Sequence, residues 1–268
     1  MTPNRLRLCR SLLFLPASNP RAIEKARALA ADMVILDLED AVKPADKDEA
    51  RRAAVAAAAA GFGQSLCAIR VNSPGALQHE DVVAVRACNA DYVVVPRTAS
   101  PEDAARVGAG TGKPVLAMIE TAAGVLHAAV IAPHAAGLIA GTNDLAADLG
   151  IRPGGGRGPL VTALQTILLA ARAAGAAAFD GVHNRLEDED GLAAECEEGL
   201  AFGFDGKSLI HPSQIETANR IFSPGEEALA AARRLIEAAT GGAERFEGEM
   251  IERMHVEQAR FLLAKARS

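Results

Sequence analysis

The 268-residue chain is long for a single compact core but of ordinary size for one α/β barrel with a short appendage. Half its residues are hydrophobic yet only 3% are aromatic, so the interior must be built from Ala, Val, Leu and Ile, without platforms for stacking nucleobases. A formal net charge of −6 with dispersed Lys and Arg excludes the continuous basic face that nucleic acid requires, and no run approaches the ~18 apolar residues of a membrane span.

The N-terminal stretch 5–18 superficially imitates a signal peptide, but its apolar run, 12–15, is too short for an h-region. Cys9, Cys67, Cys88 and Cys196 stand far apart without a CxxC pair, which argues against zinc or a disulfide framework and fits a reducing cytoplasm.

In chain order, short apolar runs predict strands at 11–15, 33–36, 66–71, 92–95, 115–119, 137–140, 176–179 and 208–210. Ala-rich helical stretches predict helices between them at 22–31, 47–60, 101–107, 160–174 and 192–203. Alternation of this kind, repeated about eight times, predicts a (β/α)₈ TIM barrel. After Phe222 come Pro224, a Glu/Ala/Arg helix, the Gly241-Gly242 break and a last helical stretch from Met250. The chain therefore divides into a barrel domain at 1–222 and a C-terminal helical extension at 223–268.

Polar residues recur just past the strands: Asp37, Glu39 and Asp40, Arg70 and Asn72, Arg97, Glu120, Asn143 and Asp144, and Asp180. Strand ends of a parallel barrel meet at one mouth, so these residues converge there, although some of them suit helix N-caps instead. Glu120 and Asp144 follow successive strands. Two carboxylates without His or Cys suit a hard ion such as Mg²⁺, and on spacing alone an acid/base pair or capping explains them equally well. Arg70 offers a planar fork for a substrate carboxylate, or for an ion pair with Asp37 or Glu39.

Gly108 to Lys113 imitates a phosphate loop, but it lies between a helix and a strand with Pro114 following, so it reads as a connecting turn. Gly154-Gly155-Gly156, flanked by Arg152 and Arg157, reads as a substrate-handling loop or a plain flexible turn. His127 and His134 read as structural or surface residues.

Six segments in register, Arg10-Ser-Leu-Leu-Phe-Leu-Pro16, Asp37-Leu-Glu-Asp-Ala-Val42, Arg70-Val-Asn72, Ile119-Glu-Thr121, Asn143-Asp-Leu145 and 204–214 with its Gly-Lys-Ser-Leu-Ile-His-Pro core, together resemble the citrate lyase β-subunit (CitE-like) family of the HpcH/HpaI aldolase superfamily. The resemblance implies a Mg²⁺-dependent barrel that cleaves or forms a hydroxyacyl thioester such as citryl-, malyl- or citramalyl-CoA, with a 2-oxo acid as the other product. It implies Glu120 and Asp144 as metal ligands, with Asp148 as the competing ligand, and Arg70 on the oxo-acid carboxylate.

Glu39 and Asp40 would organise water around the metal, and Arg10, Phe14, Asn72, Arg97 and His211 would contact substrate or thioester, Phe14 and His211 fitting packing roles equally. Pro96-Arg97 stands where relatives carry Pro-Lys. Glu252 stands where some relatives carry an acid/base Asp that reaches a neighbouring subunit's site, which would favour a homotrimer or hexamer. The acyl carrier is CoA or an acyl carrier protein. Two other readings are a free-acid aldolase of the HpcH/HpaI kind and a non-catalytic barrel subunit.

Overall fold

The computed structural model describes residues 5–240 and 242–266. Eight parallel strands close into a barrel in sequence order: β1 (Ser11–Pro16), β2 (Met33–Asp37), β3 (Leu66–Arg70), β4 (Tyr92–Val95), β5 (Val115–Ile119), β6 (Gly137–Ala140), β7 (Ala177–Asp180) and β8 (Gly206–Leu209). The helices are α1 (Arg5–Leu8), α2 (Pro20–Ala26), α3 (Lys47–Ala60), α4 (Ala76–Arg86), α5 (Pro101–Thr111), α6 (Ala122–Ile131), α7 (Thr142–Asp148), α8 (Val161–Ala173), α9 (Glu189–Phe202), α10 (Ile215–Phe222), α11 (Glu226–Ala238) and α12 (Arg253–Lys265). Among the described residues no helix is long and apolar enough to cross a membrane.

Strand alternation divides the apolar residues into two cores. Leu12, Met33, Ile35, Leu66, Ala68, Val94, Leu116, Met118, Ile139, Ala177 and Phe179 fill the barrel, with Leu6 of α1 joining them from below. Their sequence neighbours, among them Leu13, Val34, Ile69, Val95, Ala117 and Leu138, pack outward against the helices. Small residues let that outer layer close tightly: a Cβ at Gly110 of α5 would stand 2.6 Å from Val82 of α4.

The expected barrel is present, with differences at the edges of elements. The glycine run at 108–112 is not a turn: α5 continues through Gly108 and Gly110, and the left-handed Gly112, at φ 67°, ends it. Strand β8 begins at Gly206, two residues earlier than expected, which brings Lys207 into the strand. Helices α4, α7 and α10 lie outside the stretches named from the sequence; α7 spans only seven residues, and α10 follows directly on the His-Pro turn after β8.

Beyond α10 the predicted last helix is shortened. A hairpin, β9 (Glu244–Phe246) and β10 (Glu249–Ile251), takes up Met250, turning through Glu247 and Gly248 at φ 47° and 94°. Gly241, half of the expected Gly-Gly break, lies outside the described residues. Helix α11 packs on α12, which runs beneath the barrel: Lys265 Nζ donates to the Asp205 carbonyl at 2.5 Å, and Arg7 lies 4.9 Å from the Phe261 ring.

Candidate active site at the barrel mouth

At the C-terminal ends of the strands a cavity of about 390 Å³ is lined by Phe14, Asp37, Asp40, Arg70, Met118, Glu120, Gly141, Thr142, Asp144, Val182 and Ser208, among others. The alternation that fills the barrel with Met33, Ile35, Leu66, Ala68, Leu116 and Met118 brings Asp37, Arg70 and Glu120 to the same inner surface, one step above that core.

Arg70 is held rigidly. Its Nε and Nη2 donate to the two oxygens of Asp37 at 2.7 and 2.6 Å, while Nη1 lies 3.0 Å from Glu39 and 4.0 Å from Asp40. Its guanidinium carbon stands 5.4 Å from the Phe14 ring centre. Burial works against its charge, but the hydrogen bonds to Asp37 and the charges of Asp37, Glu39 and Glu120 outweigh it, so the group stays above the usual arginine range. Arg70 thus makes the ion pairs expected with Asp37 and Glu39, and it also lines the cavity.

Glu39 stands behind Arg70, its other oxygen accepting from Ser73 at 2.6 Å, and burial raises its pKa. Lys47 fixes this loop from below, donating to the Leu38 and Glu39 carbonyls at 2.7 and 2.6 Å. Asp40 is exposed at the rim.

Glu120 is 1% exposed. One oxygen accepts the Arg97 backbone N–H at 2.5 Å; the other, Oε2, is buried without a hydrogen-bond partner. Burial pushes its carboxyl up to about 7, with nearby Asp144 and Glu39 adding to the shift and the Arg97 N–H and Arg70 opposing it. A Cβ at Gly141 would stand 2.4 Å from Oε2, so only glycine leaves room for this carboxylate. Asp144, in the first turn of α7, is half-buried on the same cavity.

Asp148 faces elsewhere, accepting the Ala122 N–H at 2.7 Å at the start of α6. Among the described residues no cluster of three or more His, Cys, Asp or Glu could hold a metal. The mouth therefore offers an all-oxygen pair with one orphaned carboxylate oxygen. Such a set fits a hard cation that keeps its remaining positions for water and substrate oxygens, as Mg²⁺ does.

Other expected residues separate. Arg10 precedes β1 and therefore lies under the barrel, where it grips Asp32 through Nε and Nη2, both at 2.8 Å, and reaches Ser223 at 2.9 Å. The expectation that it contacts the thioester at the mouth is corrected by the direction of the strand. The hollow around it is larger, about 820 Å³, but Arg5, Arg10 and Arg27 there are all engaged, and among the described residues none of its lining side chains carries a buried, unpartnered polar atom.

Asn72 is also corrected: its side-chain amide and backbone N–H both donate to Asp81, at 2.7 and 2.8 Å, so it anchors α4. His211 sits exposed at the rim, its Nδ1 2.8 Å from Ser213 Oγ. The Arg97 side chain is exposed at the rim as well. Glu252 opens α12 on the appendage and does not line this cavity.

A second charged cluster lies in the barrel wall between β7, β8 and α9. Lys207, fully buried, donates to Asp180 at 3.0 Å and Glu195 at 3.1 Å. Arg157, at the end of the glycine-rich loop, pairs with Asp180, Glu195 and Glu198, and His183 Nδ1 lies 3.0 Å from Glu195. That loop is thus pinned to the wall by its arginine.

Sequence reading also missed Thr142, Ser208 and Met118 at the cavity. The signal for each was its parity on a strand or its place just after one.

Comparison with known proteins agrees with this geometry. Residues 10–212 match the family model described as HpcH/HpaI aldolase/citrate lyase. The chain is 44% identical over 269 residues to a (3S)-malyl-CoA thioesterase of Cereibacter sphaeroides, covering 96% of this chain and 94% of that protein. Among solved structures, CitE of Mycobacterium tuberculosis in complex with magnesium, acetoacetate and coenzyme A superposes with a TM-score of 0.80 at 36% identity, over 98% of this chain and 100% of that one. The citrate lyase β-subunit from M. tuberculosis complexed with oxaloacetate and magnesium gives a TM-score of 0.74 at 36% identity, over 82% and 100%.

Proposed function

Because the chain belongs to the HpcH/HpaI aldolase/citrate lyase family, we propose that it is a Mg²⁺-dependent carbon–carbon lyase that cleaves or forms a hydroxyacyl thioester, with an acyl thioester and a 2-oxo acid as the products. The observation that carries this reading is the orphaned Oε2 of Glu120, beside Asp144 and Arg70 in one cavity. Support comes from structural relatives that hold magnesium together with coenzyme A or oxaloacetate.

Glu120 and Asp144 hold the Mg²⁺, which supplies Lewis-acid polarisation of the substrate's hydroxyl or oxo oxygen. Arg70, its plane fixed by Asp37 and Glu39, lines the cavity and offers its positive charge to the carboxylate of the oxo acid. Asp40 orients water at the rim and Glu39, behind Arg70, positions that guanidinium, while Phe14 and the exposed Arg97 and His211 border the path of the thioester arm, CoA or an acyl carrier protein. Glu252, remote from its own cavity, would protonate the released enolate only from a neighbouring copy, as in a homotrimer or hexamer. The four buried free cysteines suit a cytoplasmic enzyme.

The test is turnover of malyl-, citramalyl- and citryl-CoA by the purified protein with Mg²⁺, read as phenylhydrazone of the released oxo acid. Cleavage that EDTA abolishes is expected. Inactivity on every thioester, with cleavage of a free 4-hydroxy-2-oxo acid, would transfer the protein to the aldolases.

A second reading is favoured by the 44%-identical relative named as a thioesterase. Water then adds to the thioester carbonyl of the same bound substrate, releasing the free thiol and the hydroxy acid. Release of thiol without oxo acid would identify that outcome.

A further inference from the structure

The strand register places four residues in one row around the barrel wall. Ile119 pairs with Ala140, Ile139 with Phe179 and Asp180 with Lys207, so the next positions align Glu120, Gly141, Gly181 and Ser208. Neither glycine leaves a hollow. The space of a Cβ at Gly141 is taken by Glu120 Oε2, at 2.4 Å, and that of a Cβ at Gly181 by Thr142 Oγ1, at 2.3 Å. Ser208 comes next in the row.

Glu120 Oε2, Thr142 Oγ1 and Ser208 Oγ are all buried without a hydrogen-bond partner, and all three residues line the mouth cavity. Thr142 is 8% exposed and Ser208 1%. Buried polar atoms are nearly always satisfied, so three orphans on one cavity wall mark the outline of a polar ligand rather than packing.

We propose that the Thr142 and Ser208 hydroxyls are hydrogen-bond donors to the thioester carbonyl oxygen of the substrate, an inference that rests on the thioester reading above. Position supports the assignment: Thr142 Oγ1 fills the space over Gly181, and Ser208 is the next residue in the row, so the two hydroxyls are neighbours on one wall of the cavity. Charge supports it too. Hydroxyls are neutral donors in a mouth dominated by Asp37, Asp40, Glu120 and Asp144, and they match a neutral carbonyl better than a second carboxylate, which would call for a cation.

As the carbon–carbon bond breaks, its electron pair passes onto the thioester as an enolate, with the charge on that oxygen. The hydroxyl proton leaves to a mouth carboxylate, and a proton returns to the α-carbon. In hydrolysis the same oxygen carries the charge of the tetrahedral adduct. Either way the two donors strengthen as the charge develops.

The experiment uses the Mg²⁺-loaded protein with Ser208→Ala, Thr142→Val and both together. Turnover of the CoA thioester should fall about 10-fold to 100-fold in each single variant and further in the pair. Mg²⁺ and oxo-acid affinities, measured by calorimetry with oxaloacetate and glyoxylate, should stay within about twofold, and Tm should hold or rise because an unsatisfied hydroxyl has gone. Unchanged turnover in both variants would overturn the inference, as would an oxo-acid affinity that falls in step with turnover. If Thr142→Val fails to fold, Ser208→Ala decides. A wild-type protein inert on every thioester would sink the parent reading, and this one with it, before any variant is made.

Discussion

The mouth and the wall of this barrel each bury an acid at a strand end, Glu120 after β5 and Asp180 in β7, and they treat them oppositely. In the wall, Asp180, Glu195 and Glu198 are met by Lys207, Arg157 and His183. At the mouth, Arg70 serves Asp37 and Glu39, while Glu120 keeps an oxygen without a partner and a carboxyl pushed up to about 7. Burial and negative charge are common to both clusters. The wall too leaves an atom without a hydrogen-bond partner, Nε2 of His183, but its carboxylates are met; what distinguishes the mouth is a buried carboxylate oxygen left unmet, a cost that a proton or a cation removes.

The strongest way to break this contrast is to remove the orphan. Glu120→Gln should cut turnover by at least about 10³-fold and abolish tight Mg²⁺ binding in calorimetry, with the metal-free Tm no lower than wild type. Retained Mg²⁺ affinity would erase the distinction between mouth and wall. In the wall the opposite pattern is expected: Lys207→Met strands Asp180 and Glu195, and urea unfolding should show a loss of about 3–5 kcal/mol while Mg²⁺ affinity is untouched.

Proton linkage sharpens the contrast further. Glu120 carries its extra proton only when folded, between the usual 4.5 and about 7. Its contribution to metal-free stability is therefore present below pH 4.5 and lost as pH rises through 7, a change on the order of 3 kcal/mol. Mg²⁺ should reverse that loss, so the rise in Tm on adding Mg²⁺ should be larger at pH 8 than at pH 5. An equal rise at both would show that Glu120 is not a ligand. The smallest effect belongs to Asp148→Asn, which weakens the carboxylate at the α6 N-terminus: about 1 kcal/mol or less in stability, with Mg²⁺ titration unchanged.

Much of this was legible in the sequence, for physical reasons that also mark where legibility ends. Alternating short apolar runs and Ala-rich helices announce the barrel, and acids placed immediately after apolar runs announce its mouth. Arg10 shows a reading that ignored strand direction: a residue just before 11–15 must lie at the opposite end from Phe14 and Pro16. Asn72 shows a local pattern overridden by a partner nine residues on, Asp81 in α4. Ser208 went unread because the expected run, 208–210, is too short to show which face is inward, and the observed strand adds Gly206 and the buried Lys207 before it. The wall cluster joins residues 23 and 27 positions apart, a pairing no local window contains.

Arg97 holds its backbone at φ 47°, uncommon for a residue other than glycine, and in that turn its N–H meets Glu120. Since the contact belongs to the main chain, the identity of side chain 97 is free to drift between lysine and arginine, or to adapt to a different acyl carrier, without disturbing the carboxylate beneath it. Proline is the replacement that would lose it, having no N–H to give. The molecule thus uncouples the evolution of its rim from the upkeep of the carboxylate proposed to hold the metal.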